Sequence, residues 1–302
     1  MSLSLVLYKL LKIGKMFCQI SLGVMALLLL GLYSYQATLI YPASLNDGHG
    51  YCATPDEYDM PEFKNVYLKT EDGETLHCYS LKQDRNSVNY SNKTIVILSP
   101  NAGNIGHALP IVALFYKEFR YNVFIYSYRG YGKSSGKPSE AGLKIDAQRV
   151  MSYLTSEDEQ YQESSLILYG RSLGGAVAIY IASSMSSLVH AIILENTFLS
   201  IPKTVPHVLP PLKYFTSFVS ETWDLEKLIP NIPSNIPALL LSARKDEIVP
   251  PEHMDKIYEL LKTEDKIFYK FPNSVHNDTV IQPAYWEKIH AFIKDQVNPV
   301  GY

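Results

Sequence analysis

Cysteine is scarce in this chain, with three residues in 302, namely Cys18, Cys52 and Cys78. None of them forms a Cys-x-x-Cys pair, and no histidines cluster near them at the spacing of zinc ligands, so we expect no metal site. Cys52 and Cys78 leave two possibilities open: one disulfide in an oxidising compartment, or two unpaired thiols.

An excess of positive charge is also missing. Lysine and arginine number 27 against 30 aspartates and glutamates, a formal net charge of −3, so the chain lacks the basic stripe of a nucleic-acid-binding protein. Hydrophobic residues make up 47% and charged residues 19%, which argues against disorder and supports a large buried core. The sequence contains no internal repeat and no low-complexity tract.

A complete phosphate-binding loop is absent as well. Gly132-Lys133-Ser134 resembles the end of a P-loop, but that motif requires a glycine five residues before Gly132, where this chain has Ser127. We therefore expect no nucleotide and no cofactor.

Near its start the chain has a long run without charge. Residues 16–35 read MFCQISLGVMALLLLGLYSY, and twenty helical residues span roughly 30 Å, the thickness of a hydrocarbon core. Lys9, Lys12 and Lys15 precede this run, and acidic residues dominate the stretch that follows. The positive-inside rule predicts a cytoplasmic tail at residues 1–15 and a transmembrane anchor at residues 16–36. The rest would lie on the far side, as in a single-pass type II protein of the endoplasmic reticulum, another endomembrane or the plasma membrane.

Two other interpretations of this run are open. A cleaved signal peptide usually has a shorter apolar core and a small-x-small cleavage site, which does not follow here. A buried or amphipathic helix of the globular domain rarely stays uncharged over such a length. With the type II topology, the Asn-x-Ser/Thr sites at Asn89 and Asn92 could carry glycans, whereas Asn277 adjoins a candidate catalytic residue and should not.

After a polar connector at residues 37–62, short apolar strands alternate with helix-length segments. Continuous Val/Ile/Leu runs indicate strands buried on both faces, as in parallel sheets with crossover helices. We predict strands at residues 66–69, 75–81, 94–98, 122–126, 166–169, 191–195, 238–242 and 267–271. We predict helices at residues 109–119, 141–154, 173–184, 252–261 and 285–296. Residues 63–302 would thus form an α/β domain with a mostly parallel central sheet after an antiparallel start, helices on both faces, and a cap at residues 196–237.

The segment Gly170-Arg171-Ser172-Leu173-Gly174 matches the Gly-x-Ser-x-Gly pattern. Alone, this pattern is typical of any glycine-rich loop. Here a predicted strand precedes it and a predicted helix follows, which is the setting of a nucleophile elbow that exposes the serine hydroxyl on a sharp turn. We therefore predict Ser172 as the nucleophile of an α/β-hydrolase fold.

A serine nucleophile needs a base, and the base needs a partner. In this fold the chain order is serine, acid, histidine. Asp246 follows the predicted strand at 238–242 and His276 follows the one at 267–271, so we predict His276 as general base and Asp246 as the residue that orients it. Glu247 could take the acid role instead. Taken singly, Asp246 could be a turn residue and His276 a surface histidine.

An oxyanion hole needs two backbone N–H donors. We expect one from Leu173, directly after the nucleophile, and the other from the turn that follows the strand at 94–98. Pro100 has no N–H, so Asn101 or Ala102 is the better candidate in that turn.

Six segments together are specific for one family: NAGNIGH at 101–107, YRGYGKSSG at 128–136, GRSLGG at 170–175, ENTF at 195–198, KDEIVPP at 245–251 and HNDT at 276–279. From about Phe63 onwards, the chain resembles the membrane-anchored α/β-hydrolase family that includes the fungal bud-emergence-suppressor serine hydrolases and the type-thirteen α/β-hydrolase-domain proteins of animals. The resemblance implies the same fold and the same triad, carried by Ser172, Asp246 and His276. The chain departs from the family at Ser99-Pro100, where members usually have His-Gly, and at Ser127, where an acidic residue is usual.

These features predict a membrane-anchored serine hydrolase that cleaves a carboxylic ester or thioester. A lipid or an acylated protein at the bilayer is the expected substrate, and a small soluble ester is a further possibility. The alternative is a catalytically weak or inactive hydrolase-fold scaffold or binding protein at the membrane, which the departure at Ser99-Pro100 suggests. An intact triad argues against that alternative.

Overall fold

The computed structural model describes residues 3–297, and within that range eight strands form one sheet. The strands are β1 (Phe63–Lys69), β2 (Thr75–Leu81), β3 (Lys93–Leu98), β4 (Asn122–Tyr126), β5 (Ser165–Arg171), β6 (Ala191–Glu195), β7 (Ala238–Ala243) and β8 (Lys266–Phe271). Their spatial order is β1-β2-β4-β3-β5-β6-β7-β8. β2 runs antiparallel to both of its neighbours, and every later neighbouring pair is parallel, which confirms the predicted antiparallel start.

Nine α-helices accompany the sheet in the described range. They are α1 (Leu3–Ile40), α2 (Leu109–Ala113), α3 (Glu140–Ser156), α4 (Glu159–Gln162), α5 (Leu173–Ser184), α6 (Ile201–Val208), α7 (Leu225–Leu228), α8 (Pro251–Leu260) and α9 (Tyr285–Gln296). The helix predicted at 109–119 is divided, because α2 continues as a π-helical turn at Leu114–Glu118. β1 begins three residues before its predicted start, since this edge strand is partly exposed and lacks a continuous apolar run there.

The core consists of two layers, one on each face of the sheet. Alternate residues of each strand point to opposite faces, so Ile95 belongs to one layer and Val96 to the other. Helices α3, α5 and α8 cover the face of Val96, and α2 and α9 cover the face of Ile95. Cys52 and Cys78 are free and lie in different layers, so the disulfide between them that the sequence left open is wrong.

Helix α1 is 38 residues long, about 57 Å at the usual rise per residue. Its most apolar stretch is not buried against the rest of the described chain, so the alternative of a buried helix in the globular domain is wrong. By length and composition the helix suffices to cross a membrane. It also continues to Ile40, into the predicted connector, and ends just before Pro42, which cannot extend it.

The end of α1 is attached to the insertion between β6 and β7, residues 196–237, which we call the cap segment. The Tyr41 hydroxyl donates to Glu221 (2.7 Å) and accepts from the Trp223 indole N–H (2.8 Å). The Gln36 side-chain oxygen accepts from the backbone N–H of Ser220 (2.8 Å). These hydrogen bonds attach the C-terminal end of α1 to the cap segment.

Candidate active site

Ser172 lies on the sharp turn between β5 and α5. Its backbone is strained, with φ 50° and ψ −114°, a conformation that costs on the order of 1–3 kcal/mol for a non-glycine residue. The turn is possible because two glycines flank it. A Cβ on Gly170 would lie 2.4 Å from the Gly174 carbonyl oxygen, and one on Gly174 would lie 1.9 Å from the Leu98 carbonyl oxygen. Only glycine therefore lets β3, β5 and α5 approach this closely.

Contacts from the end of β6 and the start of the cap segment hold the serine in place. The Ser172 N–H donates to the Glu195 carbonyl (2.8 Å), and the Ser172 carbonyl accepts from the Thr197 hydroxyl (2.7 Å). These bonds come from β6 and the residues directly after it, so the strained turn is fixed from the neighbouring strand.

His276 lies between the serine and an aspartate. Its Nε2 is 3.2 Å from Ser172 Oγ, and its Nδ1 is 2.7 Å from Asp246 Oδ2. Both His276 and Asp246 are buried. The structure thus brings together the three side chains that the sequence predicted, in the chain order and with the contacts that proton transfer from a serine requires.

The carboxylate of Asp246 is oriented by its own loop. Its Oδ1 accepts from the backbone N–H groups of Ile248 (2.9 Å) and Val249 (2.7 Å), which leaves Oδ2 for the imidazole. Glu247, the other acid that the sequence allowed, accepts instead from the backbone N–H of His276 (3.1 Å). Asp246 is therefore the acid that contacts the ring, and Glu247 supports the histidine loop.

The residues predicted for the oxyanion hole lie on two adjacent segments. Leu173 is the first residue of α5, so its N–H has no partner within the helix. Asn101 and Ala102 follow β3, whose end abuts the elbow at Leu98. The turn is held by the Tyr131 hydroxyl, which donates to the Asn101 carbonyl (2.9 Å). Both segments adjoin the elbow, and their N–H groups stay the predicted donors of the oxyanion hole.

Asn196 is a site residue to which the sequence reasoning assigned no role. Its side-chain NH₂ donates to the carbonyl of His276 (2.9 Å) and to the Thr279 hydroxyl (2.8 Å), and its Oδ1 accepts from the N–H of Ala243 (2.8 Å). Its φ is 46°, in the left-handed region that asparagine tolerates better than most residues. Asn196 therefore connects β7 to the histidine loop. The segment ENTF was visible in the sequence, but the long-range contacts were not.

A buried polar cluster lies beneath the elbow. The Glu195 carboxylate accepts from the hydroxyls of Tyr169 (2.9 Å) and Tyr285 (2.5 Å) and lies 3.0 Å from the Arg171 guanidinium. Burial raises the pKa of both tyrosines well above the ordinary value, so they stay neutral donors. Burial acts to lower the pKa of Arg171, but the charge of Glu195 outweighs it and the pKa is raised. The cluster anchors the residue before the nucleophile to β6 and α9.

A serine on the turn between a parallel strand and its helix, with the acid and the histidine on later loops at the same end of the sheet, is the arrangement that defines the α/β hydrolases. A family model described as serine aminopeptidase, S33, matches residues 92–235. An esterase of Pyrococcus furiosus has the same fold, with a TM-score of 0.66 at 22% identity over 82% of this chain and 96% of that one. An α/β hydrolase of Vibrio vulnificus superimposes with a TM-score of 0.69 at 19% identity, over 85% of this chain and 92% of that one.

Relatives of known sequence are similar over nearly the full length. Protein bem46 of Schizosaccharomyces pombe is 40% identical over 97% of this chain and 96% of its own. An uncharacterized membrane protein of Saccharomyces cerevisiae is 45% identical over 93% of this chain and 97% of its own. The α/β-hydrolase-domain protein WAV2 of Arabidopsis thaliana is 32% identical over 87% and 89%. The chain therefore belongs to the bem46 family of α/β hydrolases, and the family resemblance drawn from its motifs is confirmed.

Proposed function

We propose that this hydrolase is a membrane-anchored serine hydrolase that cleaves a carboxylic ester or thioester, with Ser172 as nucleophile. The observation that carries the proposal is the position of His276, which lies within hydrogen-bonding distance of both Ser172 Oγ and Asp246. A histidine held in this way has one nitrogen for the serine proton and the other fixed by a carboxylate.

The reaction proceeds through an acyl-enzyme. His276 Nε2 takes the hydroxyl proton as Ser172 Oγ attacks the acyl carbon, and the N–H groups of Leu173 and of Asn101 or Ala102 stabilise the oxyanion. The imidazolium then gives its proton to the departing alcohol or thiol. Water attacks the acyl-enzyme in the second half, His276 takes a proton from it, and the carboxylic acid leaves as Ser172 regains its proton. Asp246 stays ionised and stabilises the imidazolium in both halves.

Labelling with a fluorophosphonate probe tests the proposal. The full-length chain in lipid nanodiscs should react covalently, and Ser172→Ala and His276→Gln should abolish the reaction while leaving the unfolding midpoint close to that of the wild type. Hydrolysis of a short chromophoric ester should fall in parallel, by about 10⁴-fold or more. A folded wild-type chain that neither labels nor hydrolyses the ester contradicts the proposal and favours the scaffold alternative.

We also propose the type II topology, with residues 1–15 in the cytoplasm and the catalytic domain on the other side of the membrane. The charge asymmetry around α1 supports it. Asn89 offers a readout, because it is exposed and lies in an Asn-x-Ser sequence. A glycan on Asn89 that is lost in Asn89→Gln supports this orientation. In sealed microsomes whose cytoplasmic face points outward, the catalytic domain should be protected from added protease, and its digestion contradicts this orientation.

A further inference from the structure

A cavity of about 620 Å³ lies between α1 and the cap segment. This volume falls in the range of roughly 300–1,000 Å³ that is typical of small-molecule sites. The residues that line it in the described chain include none that is charged. Both walls are mostly apolar, and their members include Leu29, Leu32 and Tyr33 of α1 and Val205, Leu209 and Phe218 of the cap segment. We call this cavity the α1–cap groove.

The inner end of the groove reaches the catalytic loops. Asn101, in the turn of the candidate oxyanion hole, and Ile248 both line the groove. The N–H of Ile248 donates to Asp246, so its side chain extends into the groove from the acid loop itself. Asn101 also donates through its side chain to the carbonyl of Ile40 at the end of α1 (3.1 Å). The groove therefore runs from the triad region to the membrane helix.

The outer side of the groove is suited to lipid. The wall formed by α1 belongs to the apolar helix that is long enough to cross a bilayer. The cap segment beside it exposes large apolar side chains, with Val208, Tyr214 and Phe218 at 48%, 77% and 61% exposure, and no residue of α6 is buried. An apolar surface of this kind next to a membrane helix is typical of a region that contacts the bilayer.

We propose that the α1–cap groove receives one fatty-acyl chain of a membrane lipid, which enters from the bilayer and presents its ester carbonyl to Ser172. This inference rests on the proposed serine hydrolase and specifies its substrate class. An uncharged groove that has the membrane helix as one wall favours a hydrocarbon chain over a peptide, whose amide groups would lose hydrogen bonds to water there. The fatty-acyl chain contacts both α1 and the cap segment, so the membrane anchor forms part of the substrate site.

The test uses the full-length chain in phosphatidylcholine nanodiscs and acetyl, octanoyl and palmitoyl esters of one chromophoric alcohol. Each methylene that the groove buries should raise kcat/KM by up to about fourfold, the equivalent of ~0.8 kcal/mol. Leu29→Trp and Val205→Trp fill the groove from opposite walls and should lower the palmitoyl-to-acetyl ratio of kcat/KM at least tenfold. Leu28→Trp is the matched control, because Leu28 is exposed on the same helix and does not line the groove.

Equal ratios in the wild type and in both wall variants overturn the inference, as does a wild type that does not distinguish palmitoyl from acetyl esters. Failure of the proposed function gives a different result, namely no fluorophosphonate labelling and no hydrolysis of any ester. In that case a photoactivatable lysophosphatidylcholine in the same nanodiscs decides the matter. Crosslinks to groove residues that Leu29→Trp removes support the groove as an acyl site, and their absence in the wild type overturns it.

Discussion

Asn196 connects the histidine loop to the sheet, and replacing it should affect both stability and catalysis. Asn196→Ala removes three hydrogen bonds at once, those to the His276 carbonyl, the Thr279 hydroxyl and the Ala243 N–H. All three partners lie in the buried region beside the triad, where water cannot readily replace the asparagine. A buried group left without a partner costs about 1–3 kcal/mol.

The expected loss in the free energy of unfolding is about 3–5 kcal/mol, because the loop can relax and recover part of what the three groups lose. The strain at φ 46° remains in the alanine variant, whereas Asn196→Gly relieves it, so the glycine variant should be the more stable of the two by up to about 1 kcal/mol. A shift of His276 by a fraction of an ångström should lower kcat/KM by roughly 10–100-fold.

Urea unfolding of the full-length chain in detergent micelles measures the first effect, and hydrolysis of a short ester measures the second. Asn196→Asp keeps the acceptor for the Ala243 N–H but places a carboxylate oxygen against the His276 carbonyl oxygen. It should therefore lose activity and at least as much stability as the alanine variant, because a buried carboxylate that faces a carbonyl has no donor there. Asn231→Ala is the surface control, because Asn231 is exposed and its change should stay within about 0.5 kcal/mol. An alanine variant with wild-type stability and activity would refute the reasoning.

Three further predictions concern Gly174 and Tyr41, whose contacts are described above, and His77, which is buried in β2. Gly174→Ala should destabilise the fold by about 3 kcal/mol or more and abolish fluorophosphonate labelling, because its Cβ would lie 1.9 Å from the Leu98 carbonyl; unchanged labelling contradicts this. Burial lowers the pKa of His77 to about 4 from an ordinary value near 6.5, so the unfolded chain binds the proton first as pH falls. The free energy of unfolding should therefore fall as the pH drops from 6.5 towards 4, by up to about 3 kcal/mol. His77→Gln should remove this pH dependence, which urea unfolding at several pH values measures. Tyr41→Phe should cost about 2 kcal/mol in nanodiscs, since it leaves the buried Trp223 indole N–H without its acceptor and removes one of the donors to Glu221, which keeps the backbone N–H of Glu140. An unchanged melting temperature would count against that contact.

Much of the catalytic domain could be predicted because its signals are local. Short apolar runs bounded by turns gave the buried strands, with β2, β4 and β6 at their observed bounds. The elbow was visible because Ser172 has glycines two residues away on each side. The candidate acid and base followed from the order of strands and loops, which fixes where parallel strands end. The sequence could not choose between Asp246 and Glu247, since that choice depends on which carboxylate faces the ring.

The features that escaped prediction depend on residues far apart in the chain. No local pattern links Asn196 to His276, or Tyr41 to Trp223, because each pair meets only after the sheet and cap segment have formed. The cap segment is rich in proline and contains only short helices. Its residue range could therefore be predicted from the sequence, but its helices and their packing could not. The α1–cap groove could not be predicted either, because its two walls come from segments that are far apart in the chain.

With α1 in the bilayer as proposed, the attachment of Tyr41 and Gln36 to the cap segment would also set the depth of the proposed catalytic centre relative to the lipid. If residues 16–36 occupy the hydrocarbon core, Ile40 lies about 6 Å beyond its edge along the helix axis, at the level of the phospholipid headgroups. The Asn101 side chain donates a hydrogen bond to the Ile40 carbonyl, so the turn beside the nucleophile lies at that level too. Ester linkages of glycerolipids occupy this same layer, and a substrate would need to rise only a short way from its resting position to react.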